Sequence, residues 1–217
     1  MRMSGTPDPL YVRARTALLD AVDALDAHRK SIVLVGAQAI YLHTGASDLA
    51  VAEYTTDADL TVIPAELSDA PLLADALSAH GFTPRQDPGS WLSPGGIPVD
   101  IMVPEALAGP GRRGARLGLH GSRAARRAKG LEGALIDRDL HTIASFDPTD
   151  VRTATIHIAG PSALLVAKLH KISERVSAQD RLMDKTPWMS CGSFAAWKPQ
   201  TSRTGYEGCR HRRWLPK

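Results

Sequence analysis

The segment Thr55-Thr56-Asp57-Ala58-Asp59-Leu60-Thr61-Val62 restricts this chain more than any other. Its period-2 alternation predicts a strand over Asp57 to Ile63 that sends Ala58, Leu60 and Val62 into a core and leaves Asp57 and Asp59 together on the opposite face. At strand rise their Cα atoms lie roughly 6.5 to 7 Å apart. A further acid, Asp100, is embedded in Val99-Asp100-Ile101-Met102-Val103, an otherwise apolar strand. Burying a carboxylate is costly unless something positive compensates it. Three carboxylates converging from adjacent strands make a hard-oxygen site for Mg²⁺, and two such ions about 3.5 to 4 Å apart are the usual clamp for phosphoryl transfer. A D-x-D pair standing alone is more often a solvated face.

Around these strands the pattern predicts alternating helices and strands. Tyr11 to His28 carries Leu18, Leu19, Val22 and Leu25 at helical spacing, and Ser31 to Val35 is a short buried strand. Gly36 to His43 follows as a helix whose first turn has no bulky side chain. Ala65 to His80 reads as a helix, Phe82 to Arg85 as a weak strand, and Pro98 to Val103, Ala134 to Ile136 and Thr153 to Ile158 as strands. Pro161 after Gly160 opens a helix reaching about Val176. This order argues an α/β or α+β sheet with helices packed on it. With 217 residues, 43% of them hydrophobic, the chain can bury a real core. No run of about 18 apolar residues occurs and Met1 to Pro9 lacks the layout of a signal peptide, so the expectation is a cytoplasmic protein without membrane contact.

Gly36 and Ala37 open a helix about twenty residues before the paired acids, and small residues there let backbone N–H groups approach a triphosphate. On the last helix Lys168, Lys171 and Arg175 share one face beside an apolar stripe of Leu165, Leu169, Ile172 and Val176. Between Glu105 and Glu132 lie Arg112, Arg113, Arg116, Arg123, Arg126, Arg127 and Lys129 with no acid among them. Introduced by Gly109-Pro110-Gly111, this stretch reads as a mobile loop or short hairpin able to neutralise phosphates of an RNA, or simply as a soluble loop. His170 is expected to pack beside the lysines.

Taken together, Val35-Gly36-Ala37-Gln38-Ala39, Thr56-Asp57-Ala58-Asp59-Leu60 and the later Asp100 resemble the nucleotidyltransferase superfamily, and within it the AbiEii/AbiGii toxin type of abortive-infection toxin–antitoxin pairs. The resemblance covers roughly residues 30 to 184. It implies an α+β fold, a mixed β-sheet of five or so strands flanked by helices, with a nucleotidyltransferase-like domain over 1–158 and the start of a helical region over 159–184. It also implies Mg²⁺, a nucleoside triphosphate, transfer of a nucleotide to an acceptor such as tRNA, and a cognate antitoxin. Asp57, Asp59 and Asp100 then hold metal, Gly36 and Ala37 with Lys168, Lys171 and Arg175 bind the triphosphate, and Lys168 also serves catalysis. Two departures stand out: Ala37 occupies a position where many relatives carry Ser or Gly, and Asp57 lies further from Gly36 than in compact members. Rival readings are an antibiotic-type transferase acting on a small molecule and a catalytically inactive relative that binds RNA or a partner.

The net charge of +3 resides in the last stretch: Lys185 to Lys217 holds seven Lys or Arg and one acid, leaving −3 for the rest. Both cysteines, Cys191 and Cys209, and the tryptophans Trp188, Trp197 and Trp214 are there too, without ligand spacing for zinc. Pro187-Trp188-Met189 requires the codons CCN-TGG-ATG. One base earlier, with GC-rich codons, the reading becomes roughly Lys-Asp-Ala-Leu-Asp-Val-Leu-Arg-Leu-Leu-Arg, an amphipathic helix with the acids that the resemblance calls for after Asp184. The expectation is a shifted reading frame over 185–217 and an irregular tail; the alternative is a native basic arm that stacks on nucleic acid.

Overall fold

The computed structural model describes residues 8–44 and 55–176, so the expectations for residues 185–217 and their reading frame lie outside the described residues. In chain order the elements are α1 (Pro9–Ala24), β1 (Ile32–Val35), α2 (Gly36–Thr44), β2 (Ala58–Val62), α3 (Leu73–Ala79), β3 (Thr83–Pro84), β4 (Ser90–Leu92), β5 (Pro98–Pro104), β6 (Arg126–Ala128), β7 (Arg138–Ala144), β8 (Thr153–Ala159) and α4 (Pro161–Val176). The strands form one mixed sheet in the order β3-β4-β5-β2-β1-β8-β7, with β6 also paired to β5. The pairs β1–β8, β2–β5 and β5–β6 are parallel, and β1–β2, β3–β4, β4–β5 and β7–β8 are antiparallel. The architecture is therefore α+β, a mixed sheet flanked by helices, with eight strands among the described residues where five or so are expected, because the short β3, β4 and β6 extend it at β5.

Alternation within the strands builds the core. Ala58, Leu60 and Val62 of β2 and Val99, Ile101 and Val103 of β5 are fully buried, as are Ile32 to Leu34 of β1. The first helix starts where Asp8 accepts the Leu10 N–H at 2.8 Å and Pro9 supplies a preset φ. It lies against β2, β5, β8 and α3 through residues such as Leu18 and Val22, both fully buried. The second helix leaves the end of β1 and lies against β1, β2 and α4.

Several expectations are corrected. The helix anticipated over Ala65 to His80 is a short 3-10 turn (Pro64–Glu66), a connection, and α3 beginning only at Leu73. Pro71 lacks an N–H and disfavours helical geometry at Ala70, which breaks the apolar period. The strand anticipated over Ala134 to Ile136 is a 3-10 turn (Glu132–Leu135) that buries Ala134 and leaves Ile136 exposed. The basic stretch after Gly111 is built into the molecule. Ala115, Leu117, Ala124 and Ala125 are buried between its arginines, and β6 extends the sheet.

One edge of β5 serves two partners. Ser90 to Leu92 of β4 pair with its first half, and β6 pairs with its second. Gly89 lies between them at φ +71°, donating to Arg123 O while its own carbonyl accepts from Ile101 N–H. A Cβ at Gly89 would overlap Arg126 N and Ile101 O, so only glycine fits this passage.

Candidate functional site

Register brings the acids together. Asp59 and Asp100 are Cα partners on the parallel strands β2 and β5, so both side chains leave the same face from strands about 4.8 Å apart. Val35 pairs with Asp59 and Ser90 with Asp100, placing the acids in one row across the sheet near the end of β1. Asp57 lies two residues before Asp59, at the mouth of β2, where Thr55 Oγ1 donates to its Oδ1 at 2.6 Å.

Gly36 closes the row from the side of α2. It adopts φ +73°, and the place a Cβ would occupy is filled by the Asp59 carboxylate. Burial pushes the Asp59 carboxyl up to about 6; the negative charges of Asp57 and Asp100 add to this, while Lys171 and Arg126 pull it back. These interactions identify one electrostatic unit of three acids and two bases.

Lys171 on α4 thus faces the acids, and Lys168, half-buried, precedes it by one helical turn. Ala37 stands half-buried in the first turn of α2. Arg175 lies on α4, but its side chain is outside the described set. His170 packs against Gly130 beside this face, and Lys129 pairs with Glu174 at 3.9 Å.

The six arginines once grouped as a polyanion-binding loop separate into three kinds. Arg126 donates to Asp100 Oδ2 at 3.0 Å and belongs to the acid site. Arg113 pairs with Asp87 at 2.9 Å, Arg123 donates to Gln86 O at 2.9 Å, and Arg127 bonds to the carbonyls of Gly109 and Gly111 near Glu105. Arg112 and Arg116 are exposed and have no polar side-chain partner among the described residues.

Among the described residues, no three His, Cys, Asp or Glu side chains stand as a ready cluster of metal ligands. Asp57 accepts a hydrogen bond from Thr55, and Asp100 is paired with Arg126. The donor set itself is all carboxylate oxygen, the chemistry Mg²⁺ takes. The residues fit the ion provided Asp100 exchanges Arg126 for it.

Behind the acids lies a buried polar chain that pattern reading missed. Gln38, on α2, donates through Nε2 to Asp57 O and to Ala14 O, both at 3.1 Å, and its Oε1 accepts from Arg15 Nε at 3.0 Å. Arg15 is 1% exposed, stacks 4.5 Å from the Phe146 ring, and donates to Ala144 O and Tyr11 OH. Burial holds its guanidinium below the usual arginine range. The available signal was an arginine three and four residues before Leu18 and Leu19, on the apolar stripe of α1.

Compared with protein-family models, curated proteins and solved structures, the chain matches none of them.

Proposed function

We propose that the chain is a Mg²⁺-dependent nucleotidyltransferase that moves a nucleotide from a nucleoside triphosphate to an acceptor, an RNA such as tRNA, in the manner of a toxin paired with an antitoxin. The observation that supports this reading is the register pairing of Asp59 with Asp100 on parallel strands, with Asp57 two residues away and the Gly36 turn against Asp59. Bound Mg²⁺ would supply charge neutralisation on the transferring phosphoryl group. Asp57 and Asp59 would hold it, with Asp100 completing the set. Gly36 lets the Asp59 carboxylate reach the start of α2, Ala37 keeps that first turn free of a bulky side chain, and Lys168 and Lys171 on α4 would bind phosphate oxygens. Catalysis by these residues is positioning and electrostatic, with Asp100 placed to orient the attacking hydroxyl. Exposed Arg112 and Arg116 favour a polyanionic acceptor over a small uncharged one.

The test is transfer of label from each of the four α-labelled nucleoside triphosphates to total RNA by the full chain, with Mg²⁺ and with chelator. Labelling that requires Mg²⁺ and disappears in Asp59→Asn supports the reading. Labelling equal in the two proteins, or none with any nucleotide, overturns it.

A further inference from the structure

Arg126 is the cation closest bound to the acid row, and its setting differs from that of every other arginine in the basic stretch. Its backbone is pinned on both sides. Met102 of β5 is its partner in the parallel ladder, Gly114 is its partner in an isolated antiparallel bridge, and the neighbouring Arg127 N–H donates to Arg113 O. Its side chain, by contrast, is 35% exposed and makes one hydrogen bond among the described residues, to an Asp100 that is itself 29% exposed. A guanidinium carries five N–H donors. The other four make no hydrogen bond among the described residues, and the side chain stands partly open to solvent. Arg127, one residue on, donates through both terminal nitrogens to carbonyls of its own loop and is 18% exposed.

The charge balance gives this geometry a direction. Arg126 neutralises Asp100 and also acts on Asp59. A divalent cation entering the row competes for the same Asp100 oxygen. Once Asp100 turns to the cation, Arg126 is left next to it with its donors unsatisfied, and a planar fork of N–H groups is the shape that phosphate oxygens take best.

Building on the nucleotidyltransferase reading, we infer that Arg126 is a phosphate-binding residue of this site: it is the counter-ion of Asp100 in the cation-free protein and passes to the triphosphate when the cation takes Asp100. A partly exposed, single hydrogen bond on a strand paired on both sides is the juxtaposition that carries the inference. No bond is made or broken covalently; one ion pair is exchanged for another.

The experiment measures Mn²⁺ binding to the full chain by the magnetic resonance signal of the free ion, then binding of inorganic triphosphate at saturating Mn²⁺. In Arg126→Gln, Mn²⁺ binds about threefold tighter, because a partly exposed ion pair no longer competes, and triphosphate binds about tenfold weaker, because a charge-assisted contact is lost. Either change without the other overturns the exchange. Arg126→Lys keeps the charge but not the fork, so Mn²⁺ affinity stays at the wild-type value while triphosphate binding still weakens; this variant decides the matter if Arg126→Gln does not fold. Asp59→Asn separates the two levels of the argument. If it abolishes Mn²⁺ binding while both Arg126 variants bind like wild type, only the role of Arg126 fails. If Asp59→Asn binds Mn²⁺ as well as wild type, the nucleotidyltransferase reading fails and takes the inference with it.

Discussion

Gly36 and Asp59 meet directly: the Asp59 carboxylate fills the space in which a Cβ of residue 36 would stand. Gly36→Ala therefore meets two penalties, an alanine held at φ +73° and a carboxylate that must move. The expected cost is about 2 to 4 kcal/mol of stability. On the proposed reading nucleotide transfer falls in parallel, since the displaced group is Asp59. Thermal unfolding and label transfer measure the two, and an unchanged midpoint would show that the turn relaxes freely.

Asp59 also sets a pH dependence. Its carboxyl is raised by burial to about 6 in the folded chain, above the ordinary carboxylate value it has when unfolded. The folded state therefore holds a proton that the unfolded state releases, and stability declines as pH rises from about 4 through about 6. Asp59→Asn removes this slope. Its unfolding midpoint in chelator should equal that of wild type near pH 4 and exceed it above pH 7, by about 1 to 3 kcal/mol. Parallel midpoints across that range would refute the assignment.

The buried chain from Arg15 through Gln38 predicts a third effect. Gln38→Ala leaves a desolvated guanidinium with one partner fewer and strips a donor from the carbonyls of Asp57 and Ala14. The expected loss is about 2 to 4 kcal/mol by denaturant unfolding. Arg15→Met together with Gln38→Leu removes both members at once and should cost less than the two single changes added. Strict additivity would show that the two side chains act separately.

Exposed and engaged arginines should behave oppositely. Arg127→Ala breaks bonds to Gly109 and Gly111 and destabilises the chain by about 1 to 3 kcal/mol. Arg112→Ala with Arg116→Ala leaves the midpoint unchanged and lowers the salt slope of RNA binding by about 1 to 2. An RNA affinity indifferent to these two residues would remove the polyanion from the account.

Much of the acid row was legible because strand alternation is strict: Asp57, Asp59 and Asp100 each interrupt an apolar period at a position that only one face can accept. Their mutual register was not, since pairing of β2 with β5 is decided by tertiary contacts between segments forty residues apart. The short strands β4 and β6 left no period to read, and Ser90 and Arg126 owe their strand geometry to the shared edge of β5. Arg126 looked like one of several loop cations because charge in sequence carries no information about which carboxylate it will meet. The helix across Ala65 to His80 failed at Pro71, a local veto stronger than the apolar spacing around it.

Gln38 grips Asp57 by its carbonyl oxygen, and every residue type offers that same oxygen. The scaffold therefore holds the main chain at this position through an atom that no substitution removes, while the side chain answers to Thr55 Oγ1 and to the neighbouring charge of Asp59. Exchanging the side chain at position 57 gives up those contacts and leaves the grip of Gln38 on the backbone in place.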